Sequence, residues 1–334
     1  MSFQESKKNE RGNWWAVVLA AGEGSRLRAL TTTSCGLAVP KQYCSLYGER
    51  LLLDETILRA RRIIPAERIC VIVAAHHQRW WERPLTHLEH DNVIIQPRGR
   101  GTANGILLPL LHILERDPDA RIVILPSDHH VQAEATLQRS LQAGICAMEH
   151  DPLGVALLGV DPECADDELG YIVPGESVGQ SLHRVSRFVE KPPTAAAQSL
   201  IEAGGLWNVF IVVARARALL QLIERRCPEA VAQLQRAIGQ ARCTRRKRDE
   251  LSAAYERLAE LDFSTHVAQP EAAALRVLRV PHCGWSDLGT PRRVAEVLTR
   301  TTLRVTSARP STVAPYLNLA EQFARFAAPS GAGL

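Results

Sequence analysis

The sequence predicts an α/β protein with a mixed, mostly parallel sheet and helices on both of its faces. Three observations point there. Short, continuously apolar runs recur, such as residues 70–75 and 122–125, and such runs suit strands buried on both sides. Segments with helical spacing alternate with them, the pattern of right-handed crossovers. Polar and glycine-bearing motifs stand directly after several runs, and in such sheets ligands bind beyond the carboxyl ends of the strands.

Taken in order, residues 14–20 form the first predicted strand. It feeds the loop Ala20-Ala21-Gly22-Glu23-Gly24-Ser25-Arg26-Leu27, closed further on by Pro40-Lys41-Gln42-Tyr43. Glycine lets the backbone turn at positive φ and lets an anion approach the main chain. Successive N–H groups there make an anion-binding concavity, to which Arg26 adds a planar fork of donors. The stretch reads as a phosphate-holding loop, with a plain structural turn as the alternative. Gly-x-Gly alone is weak. Leu27 stands where the dinucleotide pattern has its third glycine, and the chain contains no Gly-Lys pair of a Walker loop.

Residues 51–64 have helical spacing, with Arg59, Arg61 and Arg62 on the expected wet side. Strands follow at 70–75 and 93–95, the latter ending on Gln96-Pro97-Arg98-Gly99-Arg100-Gly101-Thr102. A helix is expected over 103–116, then a strand at 122–125 ending on Pro126-Ser127-Asp128-His129-His130. Residues 155–160 read as a buried strand, 166–172 as a loop, and 185–189 as an alternating run ending on Glu190-Lys191-Pro192. Residues 206–213 lead into a helix expected over 214–239, and the basic stretch 242–248 reads as a solvated face. A late strand, 275–280, precedes Trp285-Ser286-Asp287-Leu288-Gly289-Thr290. From Arg300 no period is visible, and residues 329–333 look frayed. The expected organisation is a tail over 1–13, one domain over 14–298 and a short tail over 299–334.

The totals narrow the class. At 334 residues and 46% apolar, the chain can bury a sizeable core. A net charge of +4 makes no case for nucleic acid as a partner, and no apolar run approaches the about 20 residues of a membrane span. The polar start is no secretory signal, and the eight cysteines lack a Cys-x-x-Cys pair. Reduced thiols in a cytoplasm are the simplest expectation.

Asp128, directly after a hydrophobic strand, suits either a helix cap or an oxygen ligand for Mg²⁺ bridging to substrate phosphates. His129 and His130 have no third partner at turn or helical spacing, so zinc is not expected there. Lys41 and Lys191 each adjoin a proline that stiffens the backbone, although a lone lysine is usually a solvated charge.

The ordered set of motifs resembles the sugar-1-phosphate nucleotidylyltransferases, most closely the mannose-1-phosphate guanylyltransferases. The set comprises Leu-Ala-Ala-Gly-x-Gly-Ser-Arg-Leu, Pro-Lys-Gln-Tyr, Pro-Ser-Asp-His, Val-Glu-Lys-Pro, Trp-Asn and Trp-Ser-Asp-Leu-Gly, spread over residues 14–298. The resemblance implies a Rossmann-like sheet of the nucleotide-diphospho-sugar transferase type. It implies GTP and mannose-1-phosphate as substrates, Mg²⁺ as cofactor, and leaves room for a homodimer. In that family Asp128 and Asp287 would hold the metal. Ala20, Ala21, Gly22, Gly24, Ser25, Arg26 and Lys41 would meet the nucleotide phosphates, and Pro97, Gly101 and Thr102 the purine. Gly170, Glu190, Lys191 and Asn208 would hold the sugar phosphate. Arg26, Lys41, Asp128, Lys191 and Asp287 would be the catalytic set. Ala29, Gly101 and Val209 depart from the residues common in the family, at the pockets rather than at the chemistry. With no long extension after residue 298, neither an isomerase domain nor a left-handed β-helix is expected.

Two rivals stand against this. Polyol-phosphate cytidylyltransferases share the first two motifs but lack the Val-Glu-Lys-Pro and Trp-Ser-Asp-Leu-Gly pair. A non-enzymatic binder of sugar nucleotides would be expected to lose the two aspartates, and both are present.

Overall fold

The computed structural model describes residues 13–47, 50–151, 153–243, 247–302 and 317–327. Its strands in chain order are β1 (Trp14–Ala20), β2 (Ile69–Ala74), β3 (Val93–Gln96), β4 (Arg121–Pro126), β5 (His130–Val131), β6 (Val155–Val160), β7 (Tyr171–Gly179), β8 (Leu182–Val189), β9 (Leu206–Arg215), β10 (Leu275–Val280) and β11 (Trp285–Ser286). The helices are α1 (Leu52–Arg61), α2 (Gln78–Trp81), α3 (Gly101–Arg116), α4 (Glu134–His150), α5 (Thr194–Glu202), α6 (Ala216–Arg226), α7 (Pro228–Cys243), α8 (Lys247–Arg257), α9 (Pro291–Thr302) and α10 (Leu319–Ala327).

A nine-stranded mixed sheet runs in the order β3-β2-β1-β4-β9-β6-β10-β8-β7. Its first four strands are parallel, as their continuous apolar runs predict. Side chains alternate across β1: Trp14, Ala16 and Val18 enter a core with α1, α4 and α9, while Trp15 and Val17 enter one with α3, α6 and α7. Both faces are therefore covered.

Register decides where the motifs meet. Leu19 pairs with Ile72 on one side and Pro126 on the other, so β1, β2 and β4 end on one edge of the sheet. β9 is antiparallel to β4 and β6, and Trp207 pairs with Val160, so β9 begins at that same edge. The ribbon β5–β11 pairs His130 with Ser286, which lays the segment holding Asp287 beside the one holding Asp128.

Several expectations need correction. The helix predicted over 214–239 is two helices, α6 and α7. The break lies at Cys227 (φ −133°, ψ 51°), because Pro228 disfavours helical geometry in the residue before it. Arg59 is not on the wet side. It is buried and its guanidinium lies 2.6 Å from the Glu134 carboxylate, an ion pair of the kind that lets a charge enter a core. The loop expected over 166–172 runs into β7, whose outer half is solvent-facing and carries Pro174, Gly175 and Gly179. The aperiodic C-terminal stretch contains α10, anchored by backbone bonds from Ser45 N–H to the Leu317 carbonyl and from Leu319 N–H to the Ser45 carbonyl. Residues 1–12 of the N-terminal tail, 303–316 and 328–334 of the C-terminal one, and 244–246 of the basic stretch lie outside the described residues. Cys35, Cys44, Cys70, Cys146, Cys164, Cys227 and Cys283 are free, and no helix among the described residues is long and apolar enough to cross a membrane.

Candidate active site

Two adjoining cavities open at the carboxyl edge, of about 290 Å³ and about 480 Å³, and both are walled by Leu19, Gly22 and Thr102. The smaller takes in Arg26, Asp128, Gly170, Glu190, Lys191, Asn208 and Asp287. The larger takes in Ala21, Glu23, Gln96 and Gly101. Most of the predicted site residues thus face one continuous cleft. Ala20, Gly24, Ser25, Lys41 and Pro97 are not among the lining residues.

The loop after β1 is pinned from beneath. Gln42 Nε2 donates to the Ala20 carbonyl at 3.0 Å and the Gly22 carbonyl at 2.9 Å, and Tyr43 Oη donates to Ala20 at 2.9 Å. Gly24 sits at φ 61°, and a Cβ there would come within 3.1 Å of the Lys41 backbone nitrogen. The positive φ and the close backbone together favour glycine at this second position. Pro-Lys-Gln-Tyr is accordingly the floor of the loop, and Ala20 serves it through its carbonyl alone.

Lys41 is 5% exposed and lies under the two aspartates. Its ammonium is 2.9 Å from Asp128 Oδ2 and donates to the Asp287 carbonyl at 2.5 Å. The lysine predicted to meet nucleotide phosphates is thus already bound to the acidic pair. Burial on its own pushes the Asp128 carboxyl up, but it is held below the usual range, first by the Lys41 ammonium beside it. His129 is pushed down to about 4, first by burial, with Asp128 opposing. The neutral ring accepts from Trp285 Nε1 at 3.3 Å through Nδ1 and turns Nε2 toward Asp128, 3.7 Å away.

Asp287 has a partner that sequence reasoning missed. Arg293 Nη1 donates to both of its carboxylate oxygens, at 2.7 and 2.8 Å, while Nη2 lies 2.5 Å from Asp166 Oδ2. Gly289 N–H donates to Asp287 Oδ1 at 3.0 Å, and a Cβ on Gly289 would collide with Oδ2. Burial again opposes ionisation, but Arg293 and then Lys41 keep the Asp287 carboxyl below its ordinary range. An arginine in the first turn of α9 carries no local sign that it points inward. Only the Asp-x-Gly spacing hinted at a constrained turn.

The sugar-side residues also converge. Asn208 N–H donates to the Gly170 carbonyl at 2.8 Å, and a Cβ on Gly170 would fall 2.5 Å from Glu190 Oε2. Burial, then the Asp262 carboxylate, raises Glu190 above the usual range. Lys191, Phe210 and Leu288 hold φ of 47°, 56° and 47°, a conformation L-residues seldom adopt. Such strain clusters where a fold must aim a particular side chain. Arg26 reaches across the cleft to Glu168 at 3.1 Å.

On the base side, Gly101 has φ 80°, and a Cβ there would collide with the Leu261 carbonyl oxygen. The departure from the family's usual asparagine is thereby explained by packing. Thr102 Oγ1 donates to Asp262 at 2.8 Å and accepts from Phe263 N–H at 2.7 Å, so its hydroxyl is already engaged. Gln96 is buried in the cavity wall, and its Oε1 has no partner among the described residues.

Comparison with known proteins identifies relatives of the whole cleft-bearing domain. Similar proteins include a mannose-1-phosphate guanylyltransferase of Escherichia coli, 28% identical over 288 residues, covering 84% of this chain and 59% of that one. Another is the xanthan biosynthesis protein XanB of Xanthomonas campestris, 30% identical, covering 82% of this chain and 57% of that one. The chain therefore spans somewhat under three fifths of the length of these curated relatives. A crystal structure from Thermus thermophilus, described as a mannose-1-phosphate geranyltransferase, superposes with a TM-score of 0.74 at 26% identity, covering 86% of this chain and 79% of that one. Residues 15–302 match the family described as Nucleotidyl transferase, a span that takes in the phosphate loop, both aspartates and the sugar-side residues, and the chain belongs to that family.

Proposed function

We propose that the protein transfers a guanylyl group from GTP to mannose-1-phosphate, giving GDP-mannose and pyrophosphate. One observation carries the reading: a buried lysine that pairs with the Asp128 carboxylate and donates to the Asp287 main-chain carbonyl, between a pinned phosphate loop and the Gly170–Glu190–Lys191–Asn208 group. The names of the similar proteins support the choice of sugar and base.

A phosphate oxygen of the sugar phosphate attacks the α-phosphorus of the nucleotide, and pyrophosphate departs with the electrons of the broken P–O bond. The nucleophile needs no covalent activation, so catalysis is positioning and charge neutralisation. Arg26 and the loop N–H groups would hold the departing phosphates. Lys191 would aim the attacking one, and Glu190 and Asn208 would orient the sugar. The donor set also suits Mg²⁺. Asp128 is ionised and half-exposed to the cleft, and Asp287 Oδ2 accepts one hydrogen bond, which leaves it an acceptor site. When bound there, the ion would neutralise charge on the phosphates. Lys41 would keep the two aspartates together.

The two lysines are expected to separate in binding. Lys191→Ala should weaken use of the sugar phosphate and leave nucleotide binding in its absence near normal, because Lys191 is exposed on the sugar side. Lys41→Ala should damage nucleotide handling, since it strips Asp128 of its buried counter-charge. Calorimetric titration with nucleotide alone reads the difference, and equal losses in both variants would contradict the assignment.

Base choice is expected to favour GTP over ATP, CTP and UTP by at least ~10-fold in kcat/KM with mannose-1-phosphate, roughly 1.4 kcal/mol. The unpartnered Oε1 of Gln96, in the wall of the larger cavity, offers an acceptor for the N1–H or 2-amino group of guanine once the side chain turns toward it, and a base without such donors would leave it buried and unpaired. Pyrophosphate release measured across the four nucleotides and several sugar 1-phosphates tests the whole proposal. A higher value for UTP or dTTP would refute guanine and leave nucleotidyl transfer standing, whereas no release with any pair would end both.

A further inference from the structure

We infer that Glu23, His76 and His77 form a binding site for a divalent transition-metal ion of the Zn²⁺ class, distinct from the Asp128–Asp287 pair. Glu23 stands between the two glycines of the phosphate loop, and the histidines follow β2, so two neighbouring strand ends bring the three together. One ligand atom from each lies within 4.8 Å of the others. His76 Nε2 is 2.8 Å from Glu23 Oε1, and His77 Nε2 is 3.5 Å from Glu23 Oε2. A tetrahedral ion with bonds of ~2.0–2.1 Å sets its ligands about 3.3 Å apart, a spacing that small side-chain adjustments reach from three ligand atoms already within 4.8 Å of one another.

The site is also held in place. His77 is buried, its ring stands edge-on to Tyr43 with centroids 6.1 Å apart, and Tyr43 is tied to the Ala20 carbonyl. Its Nδ1 has no hydrogen-bond partner, so Glu23 is the one polar contact of that ring among the described residues. Glu23 and His76 are exposed on the wall of the larger cavity, which leaves a further coordination position for water or a nucleotide oxygen. Two imidazoles and one carboxylate suit Zn²⁺, Co²⁺ or Ni²⁺, whereas Mg²⁺ wants an all-oxygen octahedron. A bound ion would fasten the phosphate loop to the end of β2.

The test needs no turnover. The full chain, freed of metal by chelation and dialysis, is titrated with ZnCl₂ against a chromophoric chelator in excess Mg²⁺ and without nucleotide. One equivalent should bind, with affinity at least ~10-fold lower in both His76→Ala and Glu23→Gln. His76 is an exposed side chain, so its removal leaves the fold intact. Co²⁺ in place of Zn²⁺ should give the visible bands of a four-coordinate ion, lost in the same variants. Replacing the exposed Cys35, Cys146 and Cys164 by Ser should leave binding unchanged. Loss of binding in the cysteine variant with none in His76→Ala, or no binding at all, overturns the site. None of these outcomes depends on which base or sugar the enzyme uses.

Discussion

Asp128→Asn is expected to lower Mg²⁺-dependent turnover by ~10²-fold or more, about 3 kcal/mol of barrier. Asparagine keeps the shape of the side chain and removes the charge. Asp128 is the more exposed of the two carboxylates, and Lys41 already holds it ionised at 2.9 Å, so the charge is present before any substrate arrives. Without it the cleft loses its charged oxygen ligand, and Lys41 loses the carboxylate it pairs with at 2.9 Å. Initial rates over a range of Mg²⁺ at saturating substrates read the effect in kcat. A near-normal Mg²⁺-dependent rate would sink the assignment of Asp128 to the metal.

Asp287→Asn should cost activity on a similar scale and stability as well. Arg293 is 7% exposed and divides its guanidinium between Asp287 and Asp166. Removing one carboxylate charge leaves a buried cation half-compensated, a change that costs about 3 kcal/mol when a buried pair is broken. The remaining Asp166 contact keeps the loss at the lower end of that range. Urea unfolding should show a lower midpoint at unchanged slope, which marks a change in stability rather than in compactness. Asp128→Asn, whose carboxylate is half-exposed, should lose less. Equal midpoints for wild type and Asp287→Asn would mean that Arg293 is satisfied without Asp287.

The parallel half of the sheet was legible because strands covered on both faces must be apolar throughout, and β2 and β4 carry that signature in a single run. The outer half was harder. β7 begins buried at Tyr171 and ends exposed at Gly179, so its pattern changes along its own length and does not repeat. The break before Pro228 was present in the sequence as a proline, and the helical periodicity on either side of it outweighed that sign. α10 escaped because its neighbours are Ser45 and Leu46, far away in the chain.

The sequence by itself determined the residue types of the site and their positions at strand ends. The left-handed turn at Gly24 favours glycine, and Asp128 stands just past the apolar run of β4, for reasons that act over a few residues of backbone. Only the tertiary structure decided the partners. Lys41 reads as a phosphate ligand in one dimension and stands beneath two aspartates in three, because the β5–β11 ribbon brings residue 287 beside residue 128. Arg293 shows no sign of a role in one dimension and is buried in three, because Asp166 and Asp287 approach it from two different loops. Thr102 reads as a base contact and is engaged by Asp262 and Phe263 from a distant turn. A charge or hydroxyl takes its role from what lies within about 3 Å of it. That distance is set by strand register and crossover, to which no local stretch of sequence has access.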